Sequence, residues 1–277
     1  MTNLEVIRDT QMQKDKKKLK HTLMRSFVTP STATPRSVNS AEGSAVKKAD
    51  VSTSQLRCSA QHDKSSDNSK KKYAAQIIKI LSDEYPKAKC ALNFSSPHEL
   101  LFAVILSAQC TDERVNKITA VLFKKYKTLK SYANADLAEL ENIVRSAGFY
   151  RNKAKNIKES AKKLIENYGE TVPQTMEELL TLPGVARKTA NVVLGNAFGK
   201  NCGIAVDTHV IRIANLLKLT KNQDPVKIEK DLMKIVPQER WTEFSHLIQT
   251  LGRKVCKARK PGCQECLLRK ICLSNTE

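Results

Sequence analysis

Three sets of residues have the types and spacing that chemistry requires. Lys188 lies in Leu182-Pro183-Gly184-Val185-Ala186-Arg187-Lys188-Thr189-Ala190-Asn191. A lysine there can contact a phosphate or act as an amine nucleophile, and position alone does not choose. Nineteen residues on, Ala205-Val206-Asp207-Thr208-His209-Val210 offers Asp207, whose first duty is to cap the helix that follows. If the fold brings Asp207 opposite Lys188, an amine and a carboxylate flank one cleft, which suits a reaction passing through a sugar cation. The third set is Cys256, Cys263, Cys266 and Cys272, spaced C-x6-C-x2-C-x5-C. Four cysteines so close in a reducing compartment bind metal rather than form disulfides. Zinc and an iron–sulfur cluster both accept four thiolates, so the spacing leaves the metal open. Between the first two cysteines Lys257, Arg259 and Lys260 precede Pro261-Gly262. Such a stiff basic loop, pinned by metal at both ends, suits gripping a phosphate backbone; a redox role is the other reading. Cys58, Cys90, Cys110 and Cys202 are scattered and read as ordinary thiols.

The elements that must position these residues are helices. Residues 176–182 read as a short helix, halted by Pro183-Gly184 because proline withdraws an N–H and glycine accepts φ > 0. A second helix follows, with Ala190, Val193, Leu194, Ala197 and Phe198 on one apolar face and Gly199 as its stop. Two helices meeting across a four-residue turn resemble a helix-hairpin-helix motif. The second helix opens with free N–H groups and a positive dipole end, the physical recipe for holding a phosphate. Lys188 points about 200° away from Ala190, over a side formed by Val192, Gly195 and Gly199 that lacks bulk.

The chain of 277 residues carries a net charge of +20, and both the first 72 residues and the remainder are basic in their own right. A polyanionic partner is therefore the leading reading. No run reaches the roughly 20 apolar residues that span a bilayer, and none reads as a signal-peptide core. Residues 1–72, rich in Lys, Ser, Thr and Asn and including Lys16-Lys17-Lys18, read as a disordered basic extension. Within it, residues 24–41 hold Arg25 and Arg36 among many Ser and Thr with no acid, as an organelle transit peptide would, but Glu5, Asp9 and Asp15 upstream count against one. Helices are expected over 73–85, 97–108, 112–126, 136–147, 152–168, 176–182, 187–198, 207–217, 225–235 and 241–254. Gly148, Gly169, Gly199 and Gly252 stand where helices stop, and Pro97 and Pro225 where they start. No alternating segment with hairpin signals argues for a sheet, so the fold class is all-α.

The hairpin with its lysine, the Val-Asp-Thr-His segment and the cysteine set occur in an order and spacing similar to those of the endonuclease III family of helix-hairpin-helix DNA glycosylases. The resemblance spans about residues 73–275; residues 1–72 have no counterpart in short members. It implies a two-lobed α protein. One lobe, residues 90–200, would be a six-helix barrel carrying the hairpin at 176–198. The other would combine residues 73–89 with 201–277 and hold a [4Fe–4S] cluster on Cys256, Cys263, Cys266 and Cys272. Double-stranded DNA with a damaged base or abasic site would bind across the cleft of a monomer, with the target nucleotide flipped out. By the same resemblance Lys188 is the catalytic lysine and Asp207 the catalytic aspartate. Gln109 fills the gap left by the flipped base, while Gly184, Ala186, Arg187, His209, Lys257, Arg259 and Lys260 complete the DNA contacts. Two positions depart from the family pattern. Phe149 stands where well-known members place an aliphatic wedge, and Ala186 where many have a second hairpin glycine; an alanine fits there if that position is already helical.

The reaction so implied is base release followed by β-elimination 3′ to the abasic site, on oxidised or ring-saturated pyrimidines. An ordinary lysine, with a pKa of about 10.4, is neutral in roughly one molecule in 2,500 at pH 7, so the cleft must favour the free amine. Asp207 then makes better sense stabilising oxocarbenium character than as a static ion-pair partner. Two alternatives remain: a monofunctional mismatch glycosylase, which would lack the lysine, and a non-catalytic DNA-binding protein with a structural metal site, which would need neither Lys188 nor Asp207. The compartment expected is the nucleoid-bearing cytoplasm of a bacterium, or the nucleus or mitochondrion of a eukaryote.

Overall fold

The first helix is longer than its apolar pattern predicts. In the computed structural model, which describes residues 53–275 with side chains from residue 67 on, α1 runs Thr53–Glu84 rather than starting at residue 73. Ala74, Ile77, Ile78, Leu81 and Tyr85 are buried at helical spacing, and this packed half forms the nucleus. Residues 67–72 are exposed, and nothing before Tyr73 in the helix is Gly or Pro, so elongation from the packed turns costs little. Residues 53–72, assigned above to the extension, are thus helical. Lys16-Lys17-Lys18 and the stretch 24–41 lie outside the described residues.

The buried side chains gather into two clusters. The first is centred on α2, Pro97–Ser107, whose Leu100 to Leu106 are all buried; a helix apolar all round belongs inside other helices. Ser96 caps it and Pro97 occupies its first turn. Around it pack α3 (Asp112–Lys125), α6 (Tyr150–Tyr168) and α8 (Arg187–Phe198), with α4 (Leu129–Ala133) and α5 (Leu137–Val144) on α6 and α7 (Met176–Leu179) on α8. Helix α4, absent from the expected set, is five residues long and too short to show a period. It forms because Thr128 and Ser131 make a reciprocal capping box.

The second cluster joins α1 with α9 (Thr208–Leu216), α10 (Pro225–Ile235), α11 (Trp241–Lys254) and Leu268. Helix α11 also meets α8, where a Cβ on Gly195 would collide with Thr242. The small face beside Lys188 is therefore where the two clusters approach. Gly169 and Gly199 end their helices in left-handed geometry, but Gly252 lies inside α11, where a Cβ would meet Nδ1 of His209 at 2.5 Å. It makes room for packing instead of stopping a helix. No strand occurs among the described residues, and the fold is all-α. No helix among them is long and apolar enough to cross a membrane.

Candidate active site and nucleic-acid interface

The hairpin is clamped from behind by α6. Ser160 Oγ donates to the Pro183 carbonyl at 3.0 Å and Lys163 Nζ to the Thr181 carbonyl at 2.9 Å, while Leu182 and Val185 are buried. Gly184 has φ +78, and a Cβ there would meet Asn156 Nδ2 at 2.7 Å. Both the backbone and the space select glycine, and an L-residue would cost roughly 1–2 kcal/mol from conformation alone. Ala186 is not helical, contrary to the condition set for it. It is the extended residue ahead of α8, with φ −101 and no side-chain cap, a conformation open to any residue. No side chain caps the first N–H groups of α8, and Ala186 and Lys188 at that end are exposed. Arg187 has a partner of its own: its Nε donates to Glu229 Oε2 at 2.6 Å, and that carboxylate is only 4% exposed. Asn191 Nδ2 donates to Glu229 Oε1 at 2.8 Å. The carboxylate raises the Arg187 pKa further and ties the hairpin helix to α10.

Lys188 is exposed and lines two cavities, of about 80 and 590 Å³. Both are also lined by Asp207, together with Ser107, Asp112 and Arg253. Asp207 caps α9 by accepting from the Val210 N–H at 2.9 Å through Oδ1, as its residue type predicts. His209 lines the larger cavity. Burial pushes its imidazole below the usual range; Asp207 and Asp112 oppose that shift, and Arg253 and Arg212 reinforce it. Sequence patterns do not single out Arg253, whose Nη2 donates to Asp112 Oδ2 at 2.6 Å, bridging α11 to α3. The two residues lie 141 positions apart, and no local spacing could have paired them.

Gln109 and Phe149 share an unusual backbone. Both are non-glycine residues with left-handed φ, +53 and +47, a conformation seen in a few per cent of such residues. Gln109 is exposed in the turn between α2 and α3 and lines the larger cavity. Phe149 precedes α6 and is 67% exposed, so most of its apolar surface lies outside the core.

After α11 the chain turns sharply. The Gly262 N–H donates to the Val255 carbonyl at 2.9 Å, closing a loop on which Lys257, Arg259 and Lys260 are exposed. Cys256, Cys263, Cys266 and Cys272 line one cavity of about 130 Å³, walled otherwise mostly by apolar groups such as Ile213, Leu251 and Leu268, with Arg269, Ser274 and Asn275 at its polar side. Arg212 Nη1 donates to Cys256 Sγ at 3.5 Å. Burial raises the Cys266 pKa, and Cys256, Cys272 and Cys263 push the same way, so as bare thiolates the four would repel. Four soft thiol donors lining one cavity suit a thiolate-bound metal by their chemistry, although among the described residues they are not gathered closely enough to form a metal-holding group.

Residues 102–238 match the family described as HhH-GPD superfamily base excision DNA repair protein. Endonuclease III of Synechocystis sp. is 55% identical over 206 residues, spanning 74% of this chain and 94% of the relative. Endonuclease III of Escherichia coli K12 is 40% identical over 197 residues, spanning 71% and 93%. Among solved structures, a trapped endonuclease III–DNA covalent intermediate is similar with a TM-score of 0.71 and 45% identity, over 74% of this chain and 96% of that one. A thermostable thymine-DNA glycosylase is similar with a TM-score of 0.65 and 25% identity, over 75% and 97%. The chain belongs to the endonuclease III family of base excision repair enzymes and is a DNA glycosylase with associated abasic-site lyase activity.

Proposed function

We propose that Lys188 is the nucleophile of both steps and that Asp207 stabilises the charge that develops on the sugar. The carrying observation is that these two side chains, from different helices, line the same two cavities. The neutral amine attacks C1′ of the damaged nucleoside, the C1′–N bond breaks, and the base leaves with its electron pair and takes up a proton. The nitrogen now on C1′ gives up one proton, and its lone pair then breaks the C1′–O4′ bond, O4′ taking up a proton, to leave a protonated Schiff base. Abstraction of a C2′ proton then expels the 3′ phosphate by β-elimination. Asp207, fixed as a helix cap through one oxygen, keeps its other oxygen for the oxocarbenium character of the first step. That a similar protein has been captured as a covalent DNA intermediate supports an amine mechanism here.

The substrates are oxidised or ring-saturated pyrimidines and abasic sites in duplex DNA, bound by a monomer. Gly184, Ala186 and the open turn of α8 hold one phosphate, with Arg187 braced on Glu229 beside it. Lys257, Arg259 and Lys260 hold the backbone further along, His209 lines the pocket, and Gln109 and Phe149 enter the space left by the flipped nucleotide. Cys256, Cys263, Cys266 and Cys272 hold a [4Fe–4S] cluster, which ties together the two ends of the basic loop. The two apolar clusters correspond to two lobes, residues 90–200 and residues 73–89 with 201–277.

Borohydride reduction of the Schiff base tests this reading. Wild-type protein should crosslink to duplex carrying an abasic site or an oxidised pyrimidine, and Lys188→Gln should not, even at saturating protein. A residue that only contacts phosphate would regain crosslinking once binding is saturated, and that result would reduce the hairpin to an anchor.

A further inference from the structure

Among the described residues Lys153 is one of two charged side chains buried to this degree, at 5% exposure, the other being Glu229, and no carboxylate among them is within ion-pair distance of it. Its ammonium donates to three backbone carbonyls: Leu106 at 2.8 Å, Ala108 at 2.6 Å and Ala147 at 2.9 Å. Three protons and three acceptors leave no donor over. Leu106 and Ala108 stand at the end of α2, where unpaired carbonyls and the negative dipole end favour a cation. Burial lowers the lysine's pKa, so the carbonyls must hold a charge that desolvation opposes.

The placement of those carbonyls is what gives the contact a use. The Ala108 carbonyl belongs to the peptide unit that supplies the Gln109 nitrogen, and fixing it fixes the side from which left-handed Gln109 is entered. The Ala147 carbonyl fixes the peptide leading into Gly148, at φ +70. On the far side the Lys153 backbone N–H makes the first helical bond to the Phe149 carbonyl at 3.1 Å, so Lys153 bonds the chain both two residues before left-handed Phe149 and at its carbonyl. Gln109 and Phe149 lie far apart in the chain, and one ammonium ties the two turns that carry them.

We propose that Lys153 is a positioning residue that locks the Gln109 and Phe149 turns together and so sets the spacing of the two side chains inserted into duplex DNA. The proposal rests on the reading of those two side chains given above. Its action is confined to steps in which a base stack must be opened and filled. A single-stranded abasic site presents no partner strand and needs neither insertion.

The test compares wild type, Lys153→Met and Lys153→Gln in full-length protein, on one abasic site placed either in a duplex or in the same strand alone. Single-turnover borohydride trapping should fall on the order of 100-fold on the duplex for Lys153→Met, the loss expected from a small misplacement, and change little on the single strand. Lys153→Gln, which keeps two donors, should fall in between. With 2-aminopurine opposite the abasic site, the fluorescence rise on binding wild type should disappear with Lys153→Met. Equal losses on both substrates, unchanged trapping on both, or loss of helical circular dichroism in both variants would overturn the assignment, leaving Lys153 a plain core residue. A wild type that traps on neither substrate would instead sink the lyase reading itself.

Discussion

Lys188 and Asp207 stand on helices whose other faces are packed: Ala190, Val193 and Leu194 behind one, Val210 and Ile213 behind the other. The cysteine segment that follows α11 has only the short 3-10 turn Cys263–Glu265 and a series of backbone turns. Leu268 is its buried apolar anchor, while Cys263 is exposed and the other three cysteines are half-buried. Hydrophobic burial of about 25 cal/mol per Å² fixes the cleft without help. The cysteine segment buries far less apolar surface, and the proposed cluster across its four sulfurs would supply what burial does not. The lysine and aspartate are thus positioned by packed helices, whereas the proposed cluster would be what fixes the shape of the basic loop.

That contrast sets the order of expected effects. Beyond the loss of crosslinking in Lys188→Gln, the largest change should come from Asp207→Asn. Asparagine still caps α9, so thermal stability and duplex affinity should stay near wild type, while single-turnover base release slows on the order of 10² to 10³-fold. A matching loss of stability would show that the residue serves only as a cap.

Changing the other region should reverse the pattern. Cys263→Ser or Cys266→Ser should remove iron and the brown colour and weaken duplex binding by roughly 10-fold or more, yet leave trapping at saturating protein largely intact. One zinc in colourless wild-type protein would refute the cluster, and an absence of trapping even at saturation would erase the separation between the regions. The smallest effect belongs to the loop charges. Replacing Lys257, Arg259 and Lys260 by alanine should flatten the salt dependence of duplex affinity by roughly 0.9 log unit of slope for each phosphate no longer neutralised, with the single-turnover rate unchanged. An unaltered slope would remove the loop from the interface.

Features set by neighbours within a few residues are legible in the chain itself. The apolar period of α8, the turn at Pro183-Gly184, the Asp207 cap and the clustered cysteines all depend on helix geometry and capping, which act over one or two turns. The start of α1 at Thr53 is not legible, because elongation from a packed nucleus leaves no apolar signal, and α4 is not, because five residues hold no period. Gly252 reads as a helix stop because glycine has two uses, and only the ring of His209 against α11 tells them apart. The rest depends on tertiary packing. The sharing of one cleft by Lys188 and Asp207, the engagement of Arg187 by buried Glu229, the Arg253 to Asp112 bridge and the burial of Lys153 under two turns join residues far apart in the chain. The order of amino acids alone dictates which local pieces form and which groups they carry. Packing of two cores selects which of those groups meet, because a long-range contact follows from the burial of whole helix faces and not from the spacing of the residues that touch.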